Sequence, residues 1–274
     1  MMHPSRIAAI GLAALSLACA ACAAPSMSYV AAAREKEDKP PRFFPPPLAI
    51  ATPEDAVVRV IGRHVTCSGT LVEDDLVLTA HHCVVERAPS GGFTGKPLAG
   101  KDIRIELGGD YLAWGYVGVT HVVAPPCGES GGAGDLAILV LQRKLVGLGT
   151  MTARLDGPPK IGEPVDPVGF GRCALSADGI HRSVRRGGTV AAVGPGTLSL
   201  DASICPGDSG GPLLARGGHE VVGVVSQSAM DGDEHTSSDS IAVRLDRFRM
   251  VFANARLIAD GMSPSEVPPL TCEK

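Results

Sequence analysis

Residues 205–213 read Cys-Pro-Gly-Asp-Ser-Gly-Gly-Pro-Leu, so that one serine, Ser209, stands next to two glycines and shortly before a proline. A serine hydroxyl is a poor nucleophile at neutral pH and needs an imidazole to take its proton and a carboxylate to orient that imidazole. The glycines allow the backbone to turn tightly and to aim its N–H groups at one point, where they can stabilise an oxyanion. The stretch therefore predicts an activated nucleophile at Ser209.

Two segments upstream of Ser209 contain the other groups that such a serine requires. Residues 78–83 read Leu-Thr-Ala-His-His-Cys and follow Cys-Ser-Gly-Thr-Leu at 67–71, whereas residues 134–139 read Gly-Asp-Leu-Ala-Ile-Leu. Each of the three segments supplies one member of a base, acid and nucleophile set. The sequence therefore predicts nucleophilic catalysis with these groups in that chain order.

The serine segment also satisfies G-x-S-x-G, the nucleophile elbow of α/β-hydrolases. That fold needs a helix directly after the serine, with the acid and the base later in the chain. Here Pro212 and the Gly217-Gly218 pair follow at once, and the candidate base and acid lie upstream. We therefore exclude the α/β-hydrolase interpretation.

Composition favours a β-rich domain with a substantial core. The chain has 34 glycines and 22 prolines among 274 residues, which interrupt helices and favour short strands joined by turns. A hydrophobic content of 45% is sufficient for a substantial core and argues against global disorder. The net charge of -4 gives no reason to expect nucleic acid or an anionic membrane as a partner.

Short apolar segments separated by turns continue along the chain, and this spacing predicts a β-sandwich or barrels rather than βαβ units. The predicted strands are Val57–Ile61, Thr70–Val72, Leu76–Leu78, Ile103–Leu107, Leu112–Thr120, Leu136–Leu141, Val165–Phe170, Thr197–Leu200 and Val221–Val225. Near the C-terminus, apolar residues recur at three- and four-residue steps from Leu245 to Ala259, and Gly261 and Pro264 follow. This pattern predicts one amphipathic terminal helix.

The N-terminus predicts export. Residues 1–24 combine a basic start, an apolar run and small residues at A-x-A sites, as a signal peptide does. A retained membrane anchor and a lipoprotein lipidated at Cys19 or Cys22 are the alternatives, and membrane association is expected only if the chain is lipidated. We therefore expect a secreted or periplasmic protein, and the alternative is a lipoprotein anchored in a membrane.

Residues 25–48 are rich in proline and charge and predict a linker or pro-segment.

Export places the remaining cysteines in an oxidising compartment, where they pair. Their sequence positions leave the pairing open. A zinc site formed by Cys67, His81, His82 and Cys83 is the metal alternative, and the oxidising context argues against it. We expect neither a metal ion nor an organic cofactor.

The three segments resemble the chymotrypsin/trypsin-like serine peptidases, whose motifs read T-A-A-H-C, D-[IL]-A-L-L and G-D-S-G-G-P-L. The resemblance, to an exported and bacterial-looking member, implies an all-β fold of two antiparallel six-stranded β-barrels. In that fold the active site lies in the cleft between the barrels and a C-terminal α-helix follows. The implied division is 49–155 for the first barrel, 156–244 for the second, and 245–274 for the helix and tail.

The same resemblance implies a serine endopeptidase that cleaves protein or peptide substrates through an acyl-enzyme. His82 is the implied general base, Asp135 its orienting acid and Ser209 the nucleophile, with the amides of Gly207 and Ser209 as the oxyanion hole. In addition, Ser226 is implied to support the aspartate, and Cys67 and Cys83 to form a disulfide. A catalytically silent, peptidase-like binding protein at the cell surface is the alternative.

The chain departs from the family pattern near the nucleophile. The usual mature start, two aliphatic residues and then Gly-Gly, is missing near Ile50, so the ammonium group that normally pairs with the carboxylate before the nucleophile has no evident source. Asp208 is expected to be buried and therefore needs a cation from within the chain. Arg172, Arg185 and Arg186 are the candidates, and we expect activity without cleavage at a trypsin-type activation site.

Further departures concern the surroundings of the base and the substrate pocket. His81 replaces the usual alanine and is expected to be a solvent-exposed neighbour of the base, or to perturb its titration if close. Gln227 and Ser228 replace the aromatic residue and glycine that line the cleft, and the pocket base aligns with Ser203 and Ile204. Because these residues carry no full charge, a neutral substrate side chain is expected.

The remaining disulfides are less determined, because Cys205 has no downstream partner in the usual place. Its candidates are Cys173, Cys127 and Cys272. We favour the pairs Cys173–Cys205 and Cys127–Cys272.

Overall fold

The computed structural model describes residues 52–63, 65–109, 113–172, 181–185, 187–228 and 239–272, which belong to one compact unit, Phe44–Lys274. The expected signal peptide and linker lie outside these residues and stay predictions. Within the described part of the chain, no helix has the length and apolar character needed to span a membrane.

The first half of the described chain forms a closed, antiparallel, six-stranded barrel. Its strands follow the order β1-β2-β3-β8-β7-β6, and β4 and β5 form a separate hairpin. The adjacent strands β3 and β8 are buried along their whole length because both of their faces are covered. The bounds are β1 Val57–Ile61, β2 Thr66–Glu73, β3 Leu76–Thr79, β4 Val85–Arg87, β5 Phe93–Pro97, β6 Arg104–Leu107, β7 Gly115–Val123 and β8 Ala137–Leu141.

The second half forms a second six-stranded ring. The order β10-β12-β13-β16-β15-β14 closes through antiparallel pairing of β14 with β10, while β9 pairs in parallel with β15 and β11 pairs with β10. The expected fold of two six-stranded barrels is confirmed; the domain division at particular residues stays a prediction. The bounds are β9 Thr152–Ala153, β10 Pro164–Gly169, β11 Ser183–Val184, β12 Gly188–Val193, β13 Thr197–Asp201, β14 Pro212–Ala215, β15 Glu220–Ser228 and β16 Asp239–Arg244.

The predicted terminal helix is present but begins later than its apolar pattern suggested. Helix α1 spans Arg249–Ala259 and packs on strands β3, β7 and β8 of the first barrel. Leu245 and Phe248 are buried but precede the helix, so the periodic pattern continued into the approaching loop. Gly261, at a φ of 102°, ends the helix, and the next N–H group, of Met262, bonds back to the carbonyl of Leu257.

Two predicted disulfides are confirmed. Cys67–Cys83 closes the segment that leads to the candidate base, and Cys127–Cys272 ties the C-terminal tail to the first barrel. Cys205 is also disulfide-bonded. Its favoured partner, Cys173, lies outside the described residues.

Arg256 joins helix α1 to the turn between β2 and β3. Its guanidinium group donates to both carboxylate oxygens of Asp75, at 2.6 and 3.1 Å, and also contacts Glu73 and Asp260. The hydrogen bond and the positive charge of Arg256 hold the pKa of Asp75 below its ordinary value. The helix is therefore attached to the first barrel by a bidentate ion pair as well as by its apolar face.

Replacing Asp75 with Asn tests this attachment. Because the pKa of Asp75 is lowered in the folded state, its stabilising effect is complete above the unfolded-state pKa of about 3.9 and is lost as pH falls through the lowered value. Asp75→Asn should reduce the urea midpoint at pH 7, and the deficit should shrink at pH 3. Asp74→Asn, at the more exposed neighbouring carboxylate, is the control. An equal deficit at both pH values would contradict this account.

Removal of the Cys127–Cys272 disulfide should destabilise the fold, because the bond spans a sequence separation of 145 residues. The double variant Cys127→Ser/Cys272→Ser should lose about 2–4 kcal/mol in its free energy of unfolding. Ser265→Ala, in the same exposed tail, should change it by less than about 0.5 kcal/mol. Equal urea midpoints for the double variant and the wild type would contradict the prediction.

Candidate active site

The cleft between the barrels brings the three sequence segments together. His82 lies in a short 3-10 turn, His81–Val84, directly after β3; Asp135 precedes β8, and Ser209 precedes β14. Ser68 of the first barrel donates its N–H to the carbonyl of Ser209 at 2.8 Å and its hydroxyl to the carbonyl of Gly207 at 2.7 Å. These bonds fix the serine turn of the second barrel against the first barrel.

Asp135 holds His82 through both of its carboxylate oxygens. The backbone N–H of His82 donates to Oδ1 at 2.9 Å, and Nδ1 of the ring lies 2.7 Å from Oδ2. Because the carboxylate only accepts, Nδ1 carries the proton and the lone pair of neutral His82 is on Nε2. The imidazole is therefore fixed in the tautomer that can accept a proton at Nε2.

Ser226 supplies a further donor to the same carboxylate. Its hydroxyl donates to Oδ2 of Asp135 at 2.5 Å and accepts the N–H of Gly132 at 3.1 Å. Asp135 is fully buried, so its charge depends on these donors rather than on water. The sequence named Ser226, but it gave no sign of the contribution of Gly132.

The Ser209 hydroxyl bonds to a backbone carbonyl and not to His82. Its Oγ donates to the carbonyl of Ser226 at 3.4 Å, and no hydrogen bond between Oγ and Nε2 of His82 is present among the described residues. The carbonyl of Ser209 lies 3.8 Å from Sγ of Cys83, the residue after His82. The hydroxyl must therefore leave the carbonyl of Ser226 before its proton can reach the imidazole.

The turn that carries Ser209 leaves two backbone donors available. Within residues 205–211, the N–H groups of Gly207 and Ser209 make no hydrogen bond to any described residue. Gly207 has a φ of 103°, a conformation that favours glycine. Two free amides on either side of one residue are suited to binding an anionic oxygen. The N–H groups that do have acceptors are those of Cys205, Asp208, Gly210 and Gly211.

Asp208 is a second fully buried carboxylate, and its cation comes from within the chain, as expected. Arg185 places Nε 3.0 Å from Oδ2 and Nη2 3.4 Å from Oδ1, and it also donates to the carbonyl of Gly171 at 2.8 Å. The N–H groups of Gly171 and Cys205 complete the set of donors, at 2.7 and 2.9 Å. Of the three candidate arginines, Arg185 makes this ion pair; Arg186 lies outside the described residues.

His81 differs from its expected exposed position. It is 3% exposed, and its Nδ1 lies 2.9 Å from the carbonyl oxygen of Cys127. The adjacent base is covered on another side by Phe93 of β5, whose ring lies edge-on at 6.1 Å between centroids, with the Arg87 guanidinium group over the same ring. No feature of the sequence pointed to Phe93, because its hairpin lacks the alternating pattern of a buried strand.

The residues expected to line the substrate pocket differ in their exposure, and their role in substrate binding stays a prediction. Ser203 is exposed, whereas Ile204 belongs to the buried core of the second barrel. Gln227 is exposed and donates its side-chain amide to the carbonyl of Ser130 at 3.1 Å. The Ser228 hydroxyl is buried and has no hydrogen-bond partner among the described residues. The expected preference for a neutral substrate side chain stays a prediction.

The zinc alternative does not fit the donor set. The candidate ligand atoms of Cys67, His82 and Cys83 lie within 4.8 Å of one another. However, the two sulfur atoms are bonded to each other, and Zn²⁺ requires thiolates. The geometry of this cluster is explained by the disulfide.

Breaking the Arg185–Asp208 pair should be costly. Arg185→Leu leaves a fully buried carboxylate without its cation, and we expect a loss of about 3–5 kcal/mol in the free energy of unfolding. The double variant Arg185→Leu/Asp208→Asn should recover part of this loss, since no charge is left unpaired. Arg63→Leu, which breaks an exposed pair with Asp102, should cost less than about 1 kcal/mol. Similar urea midpoints for Arg185→Leu and Arg63→Leu would contradict the assignment.

Comparison with known proteins gives one family and a set of similar structures. Residues 49–251 match the family model described as Trypsin. The chain is similar to neuropsin, a serine protease expressed in the limbic system of mouse brain, at 16% identity and a TM-score of 0.55, over 74% of this chain and 95% of that one. A Glu endopeptidase in complex with MPD is also similar, at 18% identity and a TM-score of 0.62, over 75% of this chain and 92% of that one.

No curated protein matches the sequence. The two structures are too distant in sequence to show more than a shared fold. The family model, in contrast, covers more than half of the 274 residues. The chain therefore belongs to the trypsin family.

Proposed function

We propose that the protein is a serine endopeptidase that hydrolyses protein or peptide substrates through an acyl-enzyme. The observation that supports this most is the hydrogen-bonded chain from Ser226 through Asp135 to His82, next to Ser209 in the cleft. His82 is the proposed general base, Asp135 its orienting acid and Ser209 the nucleophile. The peptide-bond carbonyl is the proposed point of attack.

In the first step, Ser209 Oγ attacks the carbonyl carbon while Nε2 of His82 takes the hydroxyl proton. The carbonyl π electrons move to the oxygen, and the resulting anion is proposed to lie against the N–H groups of Gly207 and Ser209. His82 then gives its proton to the leaving amine, the C–N bond breaks, and the acyl group remains on Ser209 as an ester.

In the second step, water replaces the amine. His82 removes a proton from the water, the hydroxide attacks the ester carbonyl, and the same two amides stabilise the second anion. The bond to Ser209 breaks, and His82 returns the proton to Oγ. Asp135 accepts the Nδ1–H bond throughout, which stabilises the imidazolium and leaves Nε2 as the ring nitrogen that exchanges the proton. This chemistry requires no metal ion or organic cofactor.

We also propose that the chain is active without a newly generated N-terminal ammonium group. Asp208 is already neutralised by Arg185, and it receives two backbone N–H bonds. The turn that holds the free amides of Gly207 and Ser209 is therefore supported by charges that exist as soon as the chain folds. An inactive intact form that becomes active only after N-terminal processing would contradict this proposal.

Export is proposed on the basis of the N-terminal pattern and the disulfides. Cys67–Cys83 and Cys127–Cys272 are compatible with an oxidising compartment, in which protein thiols pair. We propose removal of residues 1–24 as a signal peptide, with secreted or periplasmic protein as the product. Lipidation at Cys19 or Cys22 would instead attach it to a membrane.

The test compares wild-type protein with Ser209→Ala. We expect wild type to react with a fluorophosphonate probe and to digest casein, and the variant to do neither, because no other group described in the cleft is an activated hydroxyl. Asp135→Asn should reduce kcat by about 10⁴-fold through the wrong His82 tautomer, while substrate binding is retained.

Thr197→Ala, at a hydroxyl on strand β13 of the second barrel, is the matched control and should retain both activities. Correctly folded wild type without labelling or digestion would overturn the proposal and favour a catalytically silent binding protein. Labelling that persists in Ser209→Ala would overturn the assignment of the nucleophile.

A further inference from the structure

The segment before Asp135 has two prolines and the disulfide-bonded Cys127 near its start, and glycine predominates after them. We call residues 124–135 the acid loop. Four of its glycines adopt positive φ values, and glycine restricts the backbone less than any other residue. The position of Asp135 must therefore depend on contacts between the acid loop and the rest of the protein. The four are Gly128, Gly131, Gly132 and Gly134, with φ values of 75°, 103°, 82° and 83°.

Contacts within the acid loop link its first residues to Asp135. A Cβ on Gly134 would lie 2.6 Å from Sγ of Cys127, and a Cβ on Gly128 would collide with the backbone N of Asp135. The two ends of the loop are therefore in direct contact. Any displacement of Cys127 or Gly128 is passed directly to the carboxylate residue.

His81 holds the first of these ends, together with the Cys127–Cys272 disulfide. Its Nδ1 lies 2.9 Å from the Cys127 carbonyl, which only accepts, so that Nδ1 is the donor. The His81 side chain is 3% exposed, so water does not readily replace this bond. Because His81 directly precedes His82, one short segment carries the proposed base and also holds the loop of its acid.

Gln227 fixes the middle of the acid loop. Its side-chain amide donates to the Ser130 carbonyl at 3.1 Å, and a Cβ on Gly131 would collide with it. Gln227 directly follows Ser226, whose hydroxyl contacts both Gly132 and Asp135. Two neighbouring residues of strand β15 therefore hold the same loop.

We propose that His81 and Gln227 are positioning residues, which act on catalysis by holding the acid loop so that Asp135 keeps its bonds to His82. The proposal rests on the proposed function of the triad. It gives one shared role to two positions at which the chain departs from the pattern of the family it resembles. His81 has the larger role because its bond is buried, whereas the bond of Gln227 is exposed to water.

A matched pair of substitutions at His81 tests this role. His81→Leu removes the donor, whereas His81→Asn places its amide nitrogen where Nδ1 now lies. We expect His81→Leu to reduce kcat by about tenfold or more with KM changed less than about twofold, and His81→Asn to recover most of the loss. His219→Leu, on the exposed turn between β14 and β15, is the control for replacing a histidine by leucine. Its kcat and KM should equal those of wild type.

A spectroscopic measurement makes the test independent of turnover. The proton shared by His82 Nδ1 and Asp135 should give a low-field resonance in the ¹H NMR spectrum of wild type and His81→Asn, and this signal should be lost in His81→Leu. If wild type neither reacts with the fluorophosphonate probe nor digests casein, the proposed function fails. The low-field resonance still tests the positioning role of His81, because it does not depend on catalysis. Equal kcat values and equal spectra for His81→Leu and wild type would overturn the proposal, as would equal impairment of the Leu and Asn variants.

Gln227→Met provides a second route that does not depend on His81→Leu folding. It keeps the side-chain length, removes the donor, and should reduce kcat by about two- to threefold, as expected for an exposed hydrogen bond. Hydrogen exchange of residues 128–135 should be faster than in wild type. Exchange and kcat identical to those of wild type would overturn the role of Gln227.

Discussion

The charge of Asp135, buried between the two barrels, is the constraint on which the rest of the cleft depends. A buried carboxylate is tolerated only when its oxygens receive hydrogen bonds, and these come from His82 of the first barrel and Ser226 of the second. The two barrels must therefore pack in one relative orientation, in which His82 and Ser226 both reach the carboxylate of Asp135. The bonds from Ser68 to the carbonyls of Ser209 and Gly207 cross the same boundary, so the position of the proposed nucleophile follows from the same docking.

Asp208, one residue before the proposed nucleophile, is a second buried carboxylate whose charge is satisfied by donors within the protein. It is as deeply buried as Asp135, but its compensation is a full positive charge on Arg185 together with two backbone N–H groups. Gly169 and Gly171 lie so close to Asp208 that a side chain at either would collide with it or with its surroundings. The serine turn is thus shaped by an ion pair assembled during folding, and among the described residues the N–H groups of Gly207 and Ser209 have no hydrogen-bond acceptor.

The apolar strand segments predicted a β-sandwich or barrel fold, whereas the two barrels, with His82, Asp135 and Ser209 in the cleft between them, were implied by the family resemblance of three short motifs. The sequence left open whether His81 is exposed, since nothing in a linear pattern shows that a carbonyl 46 residues later, on Cys127, will accept its proton. Similarly, the sequence did not predict the burial of Ile204 in the core or the bond of Gln227 to Ser130, because both are decided by tertiary packing. Strand β5, Phe93–Pro97, was missed because none of its residues is buried and no alternation of polar and apolar residues marks it.

The Cys127–Cys272 bond also has a consequence for the covalent integrity of the chain. It encloses the second barrel, helix α1 and the proposed nucleophile within one covalent ring whose closure lies in the first barrel. A single backbone cut anywhere inside this ring leaves the polypeptide in one covalent piece. For a protein proposed to cleave peptide bonds, such a ring provides tolerance to self-digestion: a nicked molecule would keep the barrels together and would separate into fragments only after reduction.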